Sequence, residues 1–135
     1  WFSACNRTTT ESAQAVVTVP SFSADSAFRF VEQQVAFGPR VPNSPAHQQA
    51  ANFFEEYLKK QGAQVQVQRF EATAYSGEVL QLKNIIATFY PDRPKRILLA
   101  AHWDTRPFAD KDPEKRDAPL DGANDGASGV AVLLE

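Results

Sequence analysis

The sequence predicts an α/β fold, and three observations support this prediction. Two segments, residues 25–37 and residues 45–60, place apolar side chains at helical spacing. Residues 63–70 alternate apolar and polar side chains, which is typical of a half-exposed strand. Residues 97–101, Ile-Leu-Leu-Ala-Ala, form a continuous apolar run that a polar loop and a further helix follow, as in sheets whose strands are buried on both faces.

The two long helices carry local start and stop signals. Gly38 and Pro39 end the first helix. Ser44 is the expected N-cap of the second, with Pro45 in its first turn. Two lysines in its last turn and Gly62 after it are typical of a helix C-terminus. We therefore expect both helices to form with well-defined ends.

The rest of the chain supplies the predicted sheet and a site at its edge. Residues 63–70 and 80–90 are two predicted strands, and residues 97–101 are predicted to be a third strand. Residues 104–121 form a polar loop before the last helix, whose apolar positions are Val130, Leu133 and Leu134. Ligands in α/β sheets bind at the carboxyl ends of the strands, so the end of the third strand is the place to search for chemistry.

Composition excludes several classes of protein. The 135 residues are 43% hydrophobic and include ten Phe, enough for a packed core. A net charge of −2 argues against a nucleic-acid binder. One Cys excludes an internal disulfide, and no apolar run of about 18 residues predicts a membrane span. Because the chain has no Met and its last helix has no terminator, we expect a piece of a longer protein.

The first residues resemble the end of a bacterial lipoprotein signal peptide. Cys5 follows the small residues Ser3 and Ala4, which suit the peptidase site that precedes an acylated Cys. Residues 6–21 are rich in Thr, Ser, Ala and Gln, as in a flexible tether. We expect residues 1–21 to comprise a signal-peptide remnant, a lipidated Cys5 and a tether, although a lone buried Cys is the simpler alternative. A lipid anchor would be the only contact with a membrane, and it predicts a bacterial envelope location, in the outer membrane or facing the periplasm.

Two acidic residues and one histidine make up the candidate site. His102 and Asp104 end the apolar run, and residues two apart on a strand share a face. A His oriented by a carboxylate is a common metal ligand, but a strand-end His bonded to a neighbouring Asp is the simpler interpretation. Residues 121–129 surround Asp125 with Gly, Ala and Ser, which allows close backbone approach to a metal carboxylate. The alternative is a helix N-cap at Asn124 or Asp125.

These motifs resemble a known superfamily. AAHWDTRPFAD followed by DGANDGASGVAVLLE is similar to the zinc-dependent exopeptidases that include the M28 aminopeptidases. FGPRVPNSPAH and NIIATFYPDRPKRILLAAHWDTRPF resemble the glutaminyl-peptide cyclotransferases, or glutaminyl cyclases, of the bacterial lipoprotein type. The resemblance covers about residues 36–135. It implies a three-layer α/β/α fold with a mixed sheet, incomplete in this chain, in which residues 22–135 are the N-terminal part of a catalytic domain.

The resemblance also implies roles for individual residues. Asp125 matches a zinc ligand of both branches, and Asp104 matches the carboxylate beside His102. His102 matches a ligand of the second metal in two-zinc aminopeptidases and a non-ligand in one-zinc cyclases. An adjacent Glu pair, which includes the general base, and a distant His ligand are expected downstream, so no catalytic residue is assigned within this chain. His47 is interpreted as a surface residue, and Glu55 and Glu56 as a solvated helix face.

The implied activity is zinc-dependent conversion of N-terminal glutamine of peptides or proteins to pyroglutamate with release of ammonia, an acyltransferase reaction. In that reaction the peptide α-amine attacks the side-chain amide, which zinc polarises as a Lewis acid, and a Glu moves the proton to the departing ammonia. Two alternatives stay open: an M28-type two-zinc aminopeptidase, and a non-catalytic binding domain on the same fold.

Overall fold

The computed structural model describes residues 18–135, so Cys5 and most of the predicted tether lie outside the described residues. The elements follow in the order α1 (Ala24–Ala36), α2 (Pro45–Lys60), β1 (Gln64–Thr73), β2 (Val79–Thr88), a wide turn (Ala123–Ser128) and α3 (Gly129–Leu134). The α/β class is confirmed. Within residues 18–135 the helices are all too short or too polar to cross a membrane.

Local capping explains where α2 begins and ends. The hydroxyl oxygen of Ser44 accepts a hydrogen bond from the backbone N–H of His47 at 3.1 Å, as predicted for an N-cap. After α2, Gly62 takes a left-handed φ of 84° and donates its N–H to the Lys59 carbonyl oxygen at 3.0 Å. The predicted ends of α2 are therefore confirmed.

Strands β1 and β2 form an antiparallel hairpin against α2. Gln64 pairs with Thr88 at the open end, and Thr73 pairs with Val79 at the turn. Val65 and Val67 are half-buried, and the Gln residues between them are exposed, because α2 contacts only part of the sheet. The alternation in the sequence correctly predicted which side chains of β1 face inward.

The prediction of a third strand at residues 97–101 is wrong for the described part of the chain. Residues 97–101 have no assigned strand structure, and the only sheet among residues 18–135 has two strands. Ile97 and Leu98 are 88% and 89% exposed. A strand buried on both faces needs hydrogen-bonded neighbours and a covering layer, and no described segment supplies them.

The core lies between α2 and α3. Its buried residues are Ala50, Phe54, Val130 and Leu134, and half-buried aromatic rings pack around them. The Tyr57 hydroxyl donates to the Leu134 carbonyl oxygen at 3.1 Å, which fixes the end of α3 against α2. Helix α1 contacts both α3 and the wide turn before it. The turn that carries Asp125 therefore packs against α1.

His47 lies in the interior, so its interpretation as a surface residue is wrong. Its side chain is 4% exposed and stacks on Trp103, with ring centroids 4.2 Å apart. Burial lowers the pKa of His47, the positive charge of Lys83 lowers it further, and the Asp104 carboxylate opposes both. The stack joins α2 to the segment that contains His102 and Asp104.

Small residues allow the wide turn to lie directly against the His102 backbone. A Cβ atom on Gly126 would lie 2.7 Å from both Cε1 and Nε2 of the His102 ring and closer still to the His102 carbonyl oxygen. A Cβ atom on Gly129 would lie 3.3 Å from the Cβ of Ala101, a tight contact that needs a shift of a few tenths of an ångström. The preference for small residues in positions 121–129 is thus explained at Gly126, where a side chain would collide with His102.

We predict that stability depends on pH through His47. Its pKa is lowered in the folded state from the usual 6.5, so the unfolded state binds the proton more readily. The His47 contribution is fully present above pH 6.5 and is lost as the pH falls from 6.5 through the lowered pKa. Urea unfolding of the complete protein should show less acid destabilisation in His47→Phe, which keeps a ring against Trp103. An equal loss in both proteins would contradict this prediction, because all other titrating groups are shared.

We also predict that Gly126 tolerates no side chain. Gly126→Ala should destabilise the complete protein by about 1–3 kcal/mol, the usual cost of overpacking, because the new methyl group meets the His102 backbone and ring. Gly129→Ala in the next helix is the matched comparison and should cost clearly less than Gly126→Ala, because its methyl group meets only the Ala101 Cβ, at 3.3 Å, and no backbone atom. Equal unfolding free energies for the two variants, measured by denaturant titration, would show that the close approach is wrong.

Candidate metal centre

The three predicted site residues line one cavity. Its volume is about 160 Å³, and its lining residues are His102, Asp104, Thr105, Arg106, Leu120, Gly122 and Asp125. His102 and Asp104 enter from the segment after residues 97–101, whereas Asp125 enters from the wide turn before α3. The structure therefore brings together side chains that lie more than twenty positions apart in the chain. Their roles as metal ligands stay predictions.

His102 lies between two carboxylates. Its Nε2 is 2.7 Å from Oδ1 of Asp125, and its Nδ1 is 3.4 Å from Oδ1 of Asp104. The shorter of these contacts brings the Nε2 edge of the ring directly against the Asp125 carboxylate. The imidazole thus orients the Asp125 carboxylate, while the carboxylate of Asp104 lies beside the other ring nitrogen.

Asp125 is not a helix cap, and neither is Asn124. The backbone of Asp125 is extended, with φ −105° and ψ 92°, and α3 begins four residues later with no side-chain cap. The Ser128 hydroxyl donates to the Asn124 carbonyl oxygen at 2.6 Å, inside the turn. The extended conformation places the Asp125 carboxylate against His102, where 77% of the side chain is exposed. Its oxygens are therefore accessible to a ligand.

Arg40 is a buried residue whose importance sequence reasoning missed. Its guanidinium donates hydrogen bonds to four backbone carbonyl oxygens at 2.9–3.0 Å, those of Gln34, Trp103, Asp121 and Gly122. Its own carbonyl oxygen accepts the Thr105 N–H at 3.2 Å. The one available signal was an Arg between prolines in GPRVP, a position where a solvated side chain would be expected.

The charge of Arg40 is buried among these oxygens. Burial lowers its pKa, while the negative charges of Asp104 and Asp121 raise it. Because an Arg side chain stays protonated in proteins, this positive charge is present beside the site. It acts on the nearby carboxylates of Asp104 and Asp121.

The donor chemistry fits zinc, although the number of donors is small. Imidazole nitrogen and carboxylate oxygen are both ordinary zinc ligands. Among residues 18–135 no group of three or more His, Cys, Asp or Glu side chains is arranged to hold a metal ion, whereas catalytic zinc usually has three protein ligands. Asp125 therefore fits as one ligand of a set that the described residues do not complete.

The charged pairs Glu55–Lys59 and Arg106–Asp110 have structural partners of their own. Glu55 forms an ion pair with Lys59 at 2.6 Å on α2, in agreement with a solvated helix face. Arg106 lines the cavity and pairs with Asp110 in the loop, with both side chains about half exposed. We assign neither pair a part in metal binding.

Comparison with known proteins shows which family shares the sequence around this site. Residues 84–135 match the model of peptidase family M28, a segment that contains His102, Asp104 and Asp125. A crystal structure of glutaminyl cyclase from Tannerella forsythia is 51% identical, with a TM-score of 0.83 over 85% of this chain and 40% of that one. A zinc-dependent exopeptidase from Parabacteroides distasonis is 52% identical, with a TM-score of 0.82 over 87% of this chain and 41% of that one. These structures confirm the zinc exopeptidase type of fold.

A curated relative agrees with these structures at lower similarity. The glutaminyl-peptide cyclotransferase-like protein of Bos taurus is 32% identical over 98 residues, 71% of this chain. The chain spans 24% of that relative and about two fifths of the solved structures. The chain belongs to the M28 zinc exopeptidase superfamily, and within it resembles the bacterial glutaminyl cyclases along most of its length.

Proposed function

We propose that the protein containing this chain is a zinc-dependent glutaminyl cyclase that converts N-terminal glutamine of peptides or proteins to pyroglutamate. The observation that carries the proposal is the 51% identity to a bacterial glutaminyl cyclase over 85% of the chain. The cavity around His102 and Asp125 adds a place for the chemistry. Because the chain is shorter than its relatives, the activity and substrate are proposed for the complete protein.

The proposed reaction needs no enzyme nucleophile, and it depends on how the peptide amine is oriented toward the amide carbon. The peptide α-amine forms a bond to the side-chain amide carbon of its own glutamine, the bond from that carbon to the amide nitrogen breaks, and ammonia leaves. When bound, zinc would supply Lewis-acid polarisation of the amide carbonyl. His47 stacks on Trp103 and His102 contacts two carboxylates, so these histidines are arranged to position groups. We assign the proton transfer to the Glu that the family resemblance implies downstream of Asp125 in the complete protein.

The resemblance to the glutaminyl cyclases favours one zinc over two, because His102 matches a non-ligand in the one-zinc cyclases. The ring of His102 lies 2.7 Å from the Asp125 carboxylate, where it can orient that carboxylate. We propose that Asp125 binds the zinc while His102 orients it, as expected for a cyclase.

A two-zinc aminopeptidase is the second candidate. It is favoured by the 52% identity to a zinc-dependent exopeptidase, which equals the similarity to the cyclases. In that case His102 would have to release Asp125 and bind a second metal. The two functions therefore differ in what His102 contacts and in the product formed.

The complete protein should release ammonia from a peptide that begins with Gln and leave a pyroglutamyl peptide. Asp125→Asn should lower kcat/KM by more than about 100-fold, because loss of a ligand should exceed the roughly 10–100-fold effect of an outer-shell partner. Asp92→Asn, in an exposed turn, is the matched control and should retain activity. Coupled ammonia detection and mass spectrometry of the peptide measure both. Release of free amino acids without ammonia would instead establish an aminopeptidase.

We further propose that Cys5 carries a lipid that anchors the protein in the bacterial envelope, facing the periplasm or at the outer membrane. Support comes from the small residues before Cys5 and the polar segment after it. Mass spectrometry of the mature N-terminus from the native host should find an acylated Cys5. Cys5→Ser should move the protein from the membrane fraction to the soluble fraction, and Ser3→Thr, which leaves the thiol, is the control. An unmodified thiol at Cys5 would contradict the proposal.

A further inference from the structure

The Arg40 guanidinium joins the two chain segments that carry the site. Its Nε donates to the carbonyl oxygen of Trp103, the residue between His102 and Asp104, at 2.9 Å. Its Nη1 donates to the carbonyl of Asp121 and its Nη2 to that of Gly122, at 3.0 and 2.9 Å. Asp125 follows Gly122 by three residues. One side chain thus sets the separation between the His102 segment and the start of the Asp125 turn.

Hydrogen bonds connected to Arg40 also hold Ala127, near the C-terminal end of the turn. The Gly122 carbonyl oxygen that accepts from Arg40 also accepts the N–H of Ala127 at 3.1 Å. The amide nitrogen of Gln34 donates to the Ala127 carbonyl oxygen at 3.0 Å, and the backbone carbonyl of Gln34 accepts from Arg40 at 3.0 Å. Asp125 therefore lies between two fixed points, Gly122 and Ala127, and both are connected to Arg40.

The geometry of these bonds requires a guanidinium. Arg presents five N–H donors in a planar fork, and here they reach carbonyls on three segments of the chain. A Lys ammonium carries three donors on a single atom, so it cannot span the same set. Arg40 and Gln34 are both fully buried, so no water substitutes for a missing donor without rearrangement.

We propose that Arg40 is a positioning residue that sets the distance between His102 and Asp125 and thereby the zinc affinity of the site. The proposal rests on the zinc site of the proposed function. It assigns Arg40 no contact with substrate or metal. Its effect passes through the backbone at Trp103 and Gly122.

The test compares zinc affinity with stability in the complete protein. Arg40→Lys and Arg40→Gln keep polar head groups and donate to fewer carbonyls. Phe53→Ala is the control, since its ring packs on Phe37, Phe54 and Tyr57 in the core. Zinc dissociation constants come from competition with a chelator, and cobalt substitution reports ligand geometry through its visible spectrum. Thermal unfolding of each metal-free protein gives the loss of stability for comparison.

Both Arg40 variants should bind zinc roughly 10–100-fold more weakly and change the cobalt spectrum, as removal of outer-shell partners does. Phe53→Ala should lose stability yet keep wild-type affinity and spectrum. Wild-type zinc affinity in the Arg40 variants would overturn this inference alone. An affinity loss in Phe53→Ala equal to that of the Arg40 variants, or failure of both Arg40 variants to fold, would assign Arg40 to stability and overturn it. A wild-type protein that binds no zinc would overturn the proposed function as well.

Discussion

The close approach of the wide turn to the backbone of His102 is the constraint on which the site depends. It brings the Asp125 carboxylate to 2.7 Å from the His102 ring, and it is possible only because Gly126 has no side chain. Arg40 supports this close approach because it donates hydrogen bonds to the carbonyl oxygens of Trp103, next to His102, and of Gly122, at the start of the turn. Packing of α1 and α2 around α3 fixes the other end of the turn. The small residues, the buried charge and the acidic cavity therefore form one arrangement.

Local signals predicted the parts of the structure that local physics determines. The Ser44 cap, the Gly62 stop and the alternation in β1 each depend on neighbours within a few residues, so the sequence reveals them. His102 and Asp104 line the same cavity although the strand that predicted their common face is not formed, and the need for small residues around Asp125 was also readable. Three of the seven residues that line the cavity, His102, Asp104 and Asp125, were named from the sequence, and their roles as metal ligands stay predictions.

Two kinds of error arose, one from contacts between distant segments and one from local patterns that were misinterpreted. His47 shares the buried face of α2 with Ala50 and Phe54 at helical spacing, so its burial was readable from the sequence, whereas its stack on Trp103, 56 positions away, was not. Residues 97–101 look like a buried strand, but a strand forms only beside partners. The donors of Arg40 reach oxygens up to 82 positions away, so its role was invisible in GPRVP. Asp125 at the start of a helical pattern is typical of a cap, and its extended backbone is a property of the turn.

Above all, we propose that Asp125 binds a single zinc while His102 stays in contact with that carboxylate. A crystal structure of the complete protein, with anomalous data collected on both sides of the zinc absorption edge, tests it most directly. We predict one zinc peak in contact with an Asp125 oxygen and with no bond to His102. A second zinc peak bound to His102, or a zinc site that excludes Asp125, would contradict this account.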